Sequence, residues 1–421
     1  MTKAIIKPSS LRGNITIPSS KSHTIRALLF ALMAKGKSRI ALPLVSPDTL
    51  AMLDAIRKVG AKTEISPTEL IIEGVAGELK PTEDIIQCGN SGLVLRFIGA
   101  IAALSSSYTI LTGDQSIRKN RLVAPLLGAL NQLGAFATSA RLDDYAPIIV
   151  KGPLKTNKAI LTGEDSQPVS ALLMLGAFFP LEIEVINPGE KPWIHLTLSW
   201  LDRFNIPYEN HNFEKYKLKG GSALSSFDYK VPGDFSSAAF PIAAALVTNS
   251  EITLENIDLK DVQGDKVIIK ILESMGARFE YDHNRLTVQK GFALTGSRID
   301  INDLIDALPI LAVVGCFASG QTEIINGAIA RKKESDRIHC IVTELKKMGA
   351  DIEERPDGLI VRTSSLHGSK DLSAHHDHRL GMALAVAALG ANGKSVIDGV
   401  ECIAKSYPSF FDDFRKIGAQ L

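Results

Sequence analysis

The chain has 421 residues, of which 45% are hydrophobic and 22% charged, the balance of a globular protein of two or three domains. Its 47 basic and 46 acidic residues leave a net charge of +1. That disfavours a nucleic-acid binder, which usually carries a basic excess, but leaves room for a local cluster of cations around a small anion.

The opening stretch MTKAIIKPSSLRGNITIPSS has no long apolar core, so no signal peptide is expected, and the longest apolar stretches of the chain are interrupted by Gly, Pro or charge, so no membrane span is expected either. Cys88, Cys316, Cys340 and Cys402 show no metal-type spacing, and Cys316 and Cys340 fall in apolar, helix-like runs that point to the core. The expected compartment is the reducing cytoplasm.

One block recurs along the chain. A strand rich in Ile, Val and Thr is followed by a polar loop, an amphipathic helix, a turn and another strand, with an apolar helix ahead of each block. The first instance is KGKSRIALPLVSPDTLAMLDAIRKVGAKTEI and the sixth is NGKSVIDGVECIAKSYPSFFDDFRKIGAQL. The six amphipathic helices end at Gly60, Gly134, Asn205, Gly276, Gly349 and Gly418, spaced 69 to 74 residues apart. Gly or Asn is the residue type a left-handed helix C-cap requires. The period exceeds the roughly 20–50 residues of simple solenoid units and suits a small βαβ-type subdomain. Six such units predict two three-unit domains, and a cleft between domains is a common ligand site.

In chain order, the first polar segment is Ser20-Lys21-Ser22-His23-Thr24-Ile25-Arg26 before an apolar helix. Its hydroxyls are N-cap residues, and a helix N-terminus favours an anion. Ser22 and Arg26, four apart, would share a helix face. Cys88-Gly89-Asn90-Ser91-Gly92 reads first as a tight turn, and Thr112 to Arg121 as a loop with three cations in four positions. Asp165-Ser166-Gln167 offers groups that hydrogen-bond a sugar-like ring or cap a helix. Val231 to Ser237 reads as a cap. Asp306, ahead of LPILAVVGCFA, is either a cap or a placed base. Lys333 and Arg337 are expected on one helical face with no carboxylate between them, a clash that an anion would relieve. His375-His376-Asp377-His378-Arg379 tempts a metal reading, but adjacent residues on a helix diverge, and an Arg presented to an anion is more economical. Lys405, in AKSYP, is alone a surface lysine.

Taken in order, SKSHTIRAL, GNSGLVLRF, TGDQSIRKNRL, SQPVSALLM, PGDFSSAAFPIAAAL, DALPILAV, RKKESDRI, DHRLGMALAVAAL and AKSYPSFF resemble the 5-enolpyruvylshikimate-3-phosphate synthase family over essentially the whole chain. The resemblance implies an inside-out α/β fold, a pair of barrel-like domains of three βαβαββ repeats each. The implied domains are residues 18–231 and residues 1–17 plus 232–421, with the active-site cleft between them. It implies enolpyruvyl transfer from phosphoenolpyruvate to shikimate 3-phosphate by a cytoplasmic monomer, with no cofactor, metal, nucleic acid or membrane.

By the same resemblance, Ser22, Arg26, Ser166, Gln167 and Lys333 look like binders of shikimate 3-phosphate, together with Lys21 and Asp306. Lys21, Gly92, Arg121, Gln167, Arg337, Arg379 and Lys405 look like binders of phosphoenolpyruvate. Asp306 resembles the general base, Glu334 the acid, and Lys21 a catalytic cation. The chain departs from the family's pattern at Leu93, Phe97, Leu122, Asp165, Glu190 and Trp193. The altered loop leaves Arg118 as a substitute for Arg121. Two alternatives stay open: the sister enolpyruvyl transfer to UDP-N-acetylglucosamine, and a non-catalytic paralogue that binds a phosphorylated metabolite.

Overall fold

The computed structural model describes residues 2–421. They divide into two compact units, Ser19–Val231 and the segment up to Pro18 joined with Pro232–Leu421. Each has its own apolar core. Pro18 falls on the other side of the expected boundary because its carbonyl accepts from the Asp234 amide, 2.9 Å away.

Each unit holds three sheets on one shared plan, except that the sheet of Lys3–Ile6, Ser395–Asp398 and Leu372–Ser373 has three strands and lacks the fourth. A strand lies parallel to a neighbour, which pairs antiparallel with a third strand, and a fourth hairpins onto that third. In the first unit, Lys158–Thr162 runs parallel to Leu181–Ile186, with Lys215–Leu218 and Tyr208–His211 beyond. The last strand of this unit, Asp228–Lys230, returns to lie parallel to Lys37–Ala41 in the first of its sheets. In the other unit, Arg12–Thr16 lies parallel to Glu251–Glu255. Lys3–Ile6 pairs antiparallel with Ser395–Asp398. The amino-terminal strands therefore belong to the carboxy-terminal unit.

The helices are of two kinds. Lys21–Met33, Gly92–Ala102 and Ser166–Gly176 are buried on nearly every side, as are Phe235–Val247, Leu308–Phe317 and His378–Gly390 in the other unit. A helix that is apolar all round can only sit inside a core. Each Leu or Ile it buries contributes about 1.5–3 kcal/mol. These central helices, with sheets outside them, account for the inside-out arrangement. The second kind is amphipathic and half-buried, for example Pro47–Lys58 and Arg337–Lys347. Their terminating residues have φ of +114° (Gly60), +86° (Gly134), +53° (Asn205), +110° (Gly276), +87° (Gly349) and +105° (Gly418). All six are left-handed caps, as the repeat predicts.

The central helices carry the polar segments at their starts. Ser20, Ser91, Asp165, Asp234 and Asp377 each cap one by accepting a backbone N–H. The sixth, Leu308–Phe317, has no side-chain cap and starts with Pro309 instead. Among the described residues no helix is long and apolar enough to cross a membrane.

Candidate active site

In the carboxy-terminal unit, Asp306, Glu334, Arg337, Arg379 and Lys405 form one network. Arg337, 1% exposed, is its hub. Its guanidinium donates to Asp306 at 2.6 Å, to Glu334 at 2.9 Å and to Asp377 at 2.8 Å. Arg379 donates to the other oxygen of Asp306 at 2.9 Å and to the Ser236 carbonyl and hydroxyl. Lys405 donates to Glu334 at 2.7 Å. Three cations thus meet three carboxylates, which is how buried charge is tolerated. Burial alone would raise the Asp306 carboxyl, but the guanidiniums of Arg379 and Arg337 outweigh it and hold the group well below the usual carboxylate range.

Two expectations are corrected here. Lys333 and Arg337 do not share a helical face. Asp336 caps the helix by accepting from the His339 amide, so the helix begins at Arg337, and Lys333 precedes it with ψ of −143°. Nor does Arg337 lack carboxylates, since three surround it. Asp306 is not a helix cap either. It sits in a 3-10 turn, Ile305–Ala307, with its side chain committed to the two arginines.

The histidine cluster disperses. His375 pairs with Glu344 at 2.8 Å, while Asp377 turns inward to Arg337 and caps its own helix through the Arg379 amide. Among the described residues no group of three or more His, Cys, Asp or Glu could hold a metal ion. Asp265 lies buried in the 3-10 turn Gly264–Lys266. Burial, followed by the charges of Asp306 and Asp234, pushes its carboxyl well above the usual range.

In the amino-terminal unit, Lys21 opens its helix and pairs with Asp48 at 3.4 Å. Arg26 is buried. It donates to the Thr197 hydroxyl at 2.8 Å, to the Ser22 carbonyl at 3.2 Å and to the Trp193 carbonyl at 3.3 Å. Burial pushes its pKa down to about 9, which still leaves it charged at neutral pH. The Phe97 ring lies 5.2 Å from its guanidinium carbon, so this departure from the family pattern gives Arg26 a π face.

Gly92, Gln167 and Arg121 come together around Arg96. A Cβ on Gly92 would stand 2.7 Å from Arg96 Nη1, 3.0 Å from Gln167 Oε1 and 3.9 Å from the Arg121 guanidinium carbon. Arg121 is 3% exposed. Arg118 is exposed and donates to Gly113 of its own loop. Of the two loop cations, the fold brings Arg121 to Gly92. Arg96 donates to Gln167 at 3.0 Å and pairs with Asp165 at 3.1 Å. Ser166 bonds Glu190 through both its amide and its hydroxyl.

Sequence reasoning passed over Arg96 and Asp377, which the fold joins to the candidate residues Gln167 and Arg337. The signal for Arg96 was a lone cation within the apolar run LVLRFIGAIA, which must find partners when its helix is buried. Asp377 gave the signal of a cap, and its second task is visible only in three dimensions.

The model of the family EPSP synthase (3-phosphoshikimate 1-carboxyvinyltransferase) matches residues 5–414. The chain is 44% identical over 418 residues to the 3-phosphoshikimate 1-carboxyvinyltransferase of Acetivibrio thermocellus, covering 99% of this chain and 98% of that one. It is 42% identical over 424 residues to the enzyme of that name from Methanocaldococcus jannaschii, with coverage of 99% and 98%. Among solved structures, the EPSP synthase of Acinetobacter baumannii superposes with a TM-score of 0.83 at 25% identity, covering 100% of both chains. The enolpyruvyl transferase NikO from Streptomyces tendae shares the fold, with a TM-score of 0.80 at 17% identity over 99% of this chain and 97% of that one. On the family match and these identities, the chain belongs to the EPSP synthase (3-phosphoshikimate 1-carboxyvinyltransferase) family.

Proposed function

We propose that the two clusters serve a single reaction, the one that family membership assigns. The enzyme transfers the 1-carboxyvinyl group of phosphoenolpyruvate to the 5-hydroxyl of shikimate 3-phosphate and releases phosphate, a step towards chorismate and the aromatic amino acids. The observation that carries the catalytic reading is the buried network in which Arg337, Arg379 and Lys405 meet Asp306 and Glu334.

In this reading Arg337, Arg379, Lys405, Arg121, Lys21, Gln167 and the backbone at Gly92 hold phosphoenolpyruvate. Ser22, Arg26, Ser166, Gln167, Lys333 and Lys21 serve shikimate 3-phosphate. Together the substrates bring about five negative charges, because each phosphate carries up to two, which is why so many cations are needed. The phosphoenolpyruvate carboxylate takes over the guanidiniums that Asp306 holds. Asp306, freed of its two strongest donors, becomes a better base and takes the proton of the 5-hydroxyl. The 5-oxygen bonds to C2 of phosphoenolpyruvate while Glu334 delivers a proton to C3. This gives a tetrahedral ketal phosphate with a methyl group. In the second step the C2–O bond to phosphate breaks and the methyl group loses a proton, restoring the vinyl double bond. Lys21 and Lys405 balance the charge that develops on the phosphate as it leaves. The reading includes a cytoplasmic monomer.

UDP-N-acetylglucosamine as acceptor is not favoured, for the loop from Thr112 to Leu122 contains no cysteine. Addition followed by elimination makes C3 a methyl group for part of each turnover. Reaction in deuterium oxide should therefore place deuterium in the vinyl group of the product, read by proton NMR, and the Glu334→Gln variant should lose both turnover and label. A product with no deuterium would rule the scheme out.

A further inference from the structure

Ser166 opens the buried helix Ser166–Gly176, and both of its donors converge on one atom. Its amide lies 3.0 Å and its hydroxyl 3.1 Å from Oε2 of Glu190. Glu190 is 3% exposed and has a left-handed backbone, φ +47° and ψ +40°, which a residue with a side chain adopts only under constraint. A carboxylate oxygen therefore rests on the first turn of a helix, where free N–H groups and the dipole attract an anion. A phosphate oxygen bound by Ser166 would need those same two donors. Asp165, the preceding residue, adds a second carboxylate, which caps the Gln167 amide and pairs with Arg96.

We infer that Glu190 is an exchangeable latch, a carboxylate that fills the Ser166 anion subsite and is displaced by the phosphate of the acceptor substrate. The inference rests on the reading of Ser166 as a binder of shikimate 3-phosphate and narrows it to the phosphate. The latch ties two connections together. Glu190 immediately precedes the helix Lys191–Arg203, and the same helix supplies the Trp193 carbonyl and Thr197 hydroxyl that hold Arg26. Displacing Glu190 releases the turn from which that helix starts, so arrival of the phosphate is transmitted to the segment that orients Arg26. The latch also gives the subsite a selection rule. A ligand without a doubly charged group gains too little at Ser166 to expel a carboxylate already bound there.

The test is calorimetric binding of shikimate 3-phosphate, and of shikimate as the ligand lacking phosphate, to the unaltered protein and to Glu190→Gln. The amide keeps the shape of the side chain but loses the charge that competes. Shikimate 3-phosphate should bind roughly tenfold more tightly to the variant, a gain of about 1.4 kcal/mol. Shikimate should bind with an affinity changed by less than about twofold, since it has no phosphate to compete with Glu190 at Ser166. Glu190→Ser, which removes the carboxylate altogether, should move shikimate 3-phosphate binding in the same direction and serves if the first variant folds poorly. Unchanged or weaker binding of shikimate 3-phosphate, or equal tightening of both ligands, overturns the latch. Turnover by the unaltered protein is measured on the same preparations. Turnover with no change in affinity overturns the latch alone, whereas neither turnover nor binding in any form overturns the functional reading and the latch with it.

Discussion

Replacing Asp306 by Asn probes the network at the point where stability and chemistry meet. The two oxygens of Asp306 accept from Arg337 at 2.6 Å and from Arg379 at 2.9 Å, and the side chain is 25% exposed. Asn keeps the size and one acceptor oxygen, but turns an N–H donor towards a second guanidinium. One charge-assisted bond is lost and the other weakened. At about 1.5–3 kcal/mol for a hydrogen bond to a charged group, the folded protein should lose roughly 2–4 kcal/mol at pH 7. The effect on rate is separate. Removing a positioned general base should lower kcat by about 10²–10⁴-fold, while the affinity for phosphoenolpyruvate holds or rises because its clamps are released. Denaturant unfolding followed for each unit, together with steady-state rates at saturating substrates, would measure both. The stability loss also has a pH signature. The Asp306 carboxyl is depressed in the folded protein. Its contribution is therefore present above the unfolded value near 4 and lost as pH falls through the folded value. The gap between variant and unaltered protein should shrink below about pH 4. A kcat within about threefold of the unaltered enzyme would refute the role given to Asp306.

Three further outcomes follow from the same geometry. Asp265, whose carboxyl is pushed up by burial and by Asp306 and Asp234, costs stability as pH rises above its unfolded value. Asp265→Asn should therefore raise the unfolding midpoint at pH 8 and leave it unchanged near pH 4, and a loss of stability at pH 8 would contradict this. His375, raised to about 9 by hydrogen bonding to Cys340 and Glu344, should stabilise the turn ahead of Asp377 fully below about pH 6.5 and lose that effect as pH climbs through 9. Glu344→Gln, which removes one of the two causes, should diminish this alkaline change, read as unfolding midpoint between pH 6 and pH 10, and an undiminished change would contradict the pairing. Gly92→Ala places a methyl 2.7 Å from Arg96 and 3.0 Å from Gln167. It should raise KM for phosphoenolpyruvate about tenfold or more, with a smaller effect on the unfolding midpoint. An unchanged KM would remove Gly92 from the site.

Much of this architecture could be read from the chain because it is written six times. The left-handed residues at Gly60, Gly134, Asn205, Gly276, Gly349 and Gly418 mark equivalent points in six repeats, five of which build a four-stranded sheet of one plan and the last a three-stranded one. The helices that run apolar on every face had to be interior. Lys333 and Arg337 show where sequence periodicity misled. Their spacing of four suits a helix, yet the cap at Asp336 starts the helix only at Arg337 and leaves Lys333 outside it, and a local cap outweighs a charge pattern. Proximity between distant segments is the part periodicity cannot supply. Asp377 serving Arg337, Asp165 serving Arg96 and Glu190 serving Ser166 join residues 40, 69 and 24 positions apart. Two of those three acids, Asp165 and Glu190, are departures from the family's pattern. In the fold, one neutralises a buried arginine and the other accepts from the amide and hydroxyl of Ser166.

The account stands or falls on phosphate release by the purified protein supplied with phosphoenolpyruvate and one of two acceptors, shikimate 3-phosphate or UDP-N-acetylglucosamine. It predicts release that requires shikimate 3-phosphate and does not occur with the nucleotide sugar. Release with the nucleotide sugar alone, or with neither acceptor from a protein shown to be folded, would contradict it.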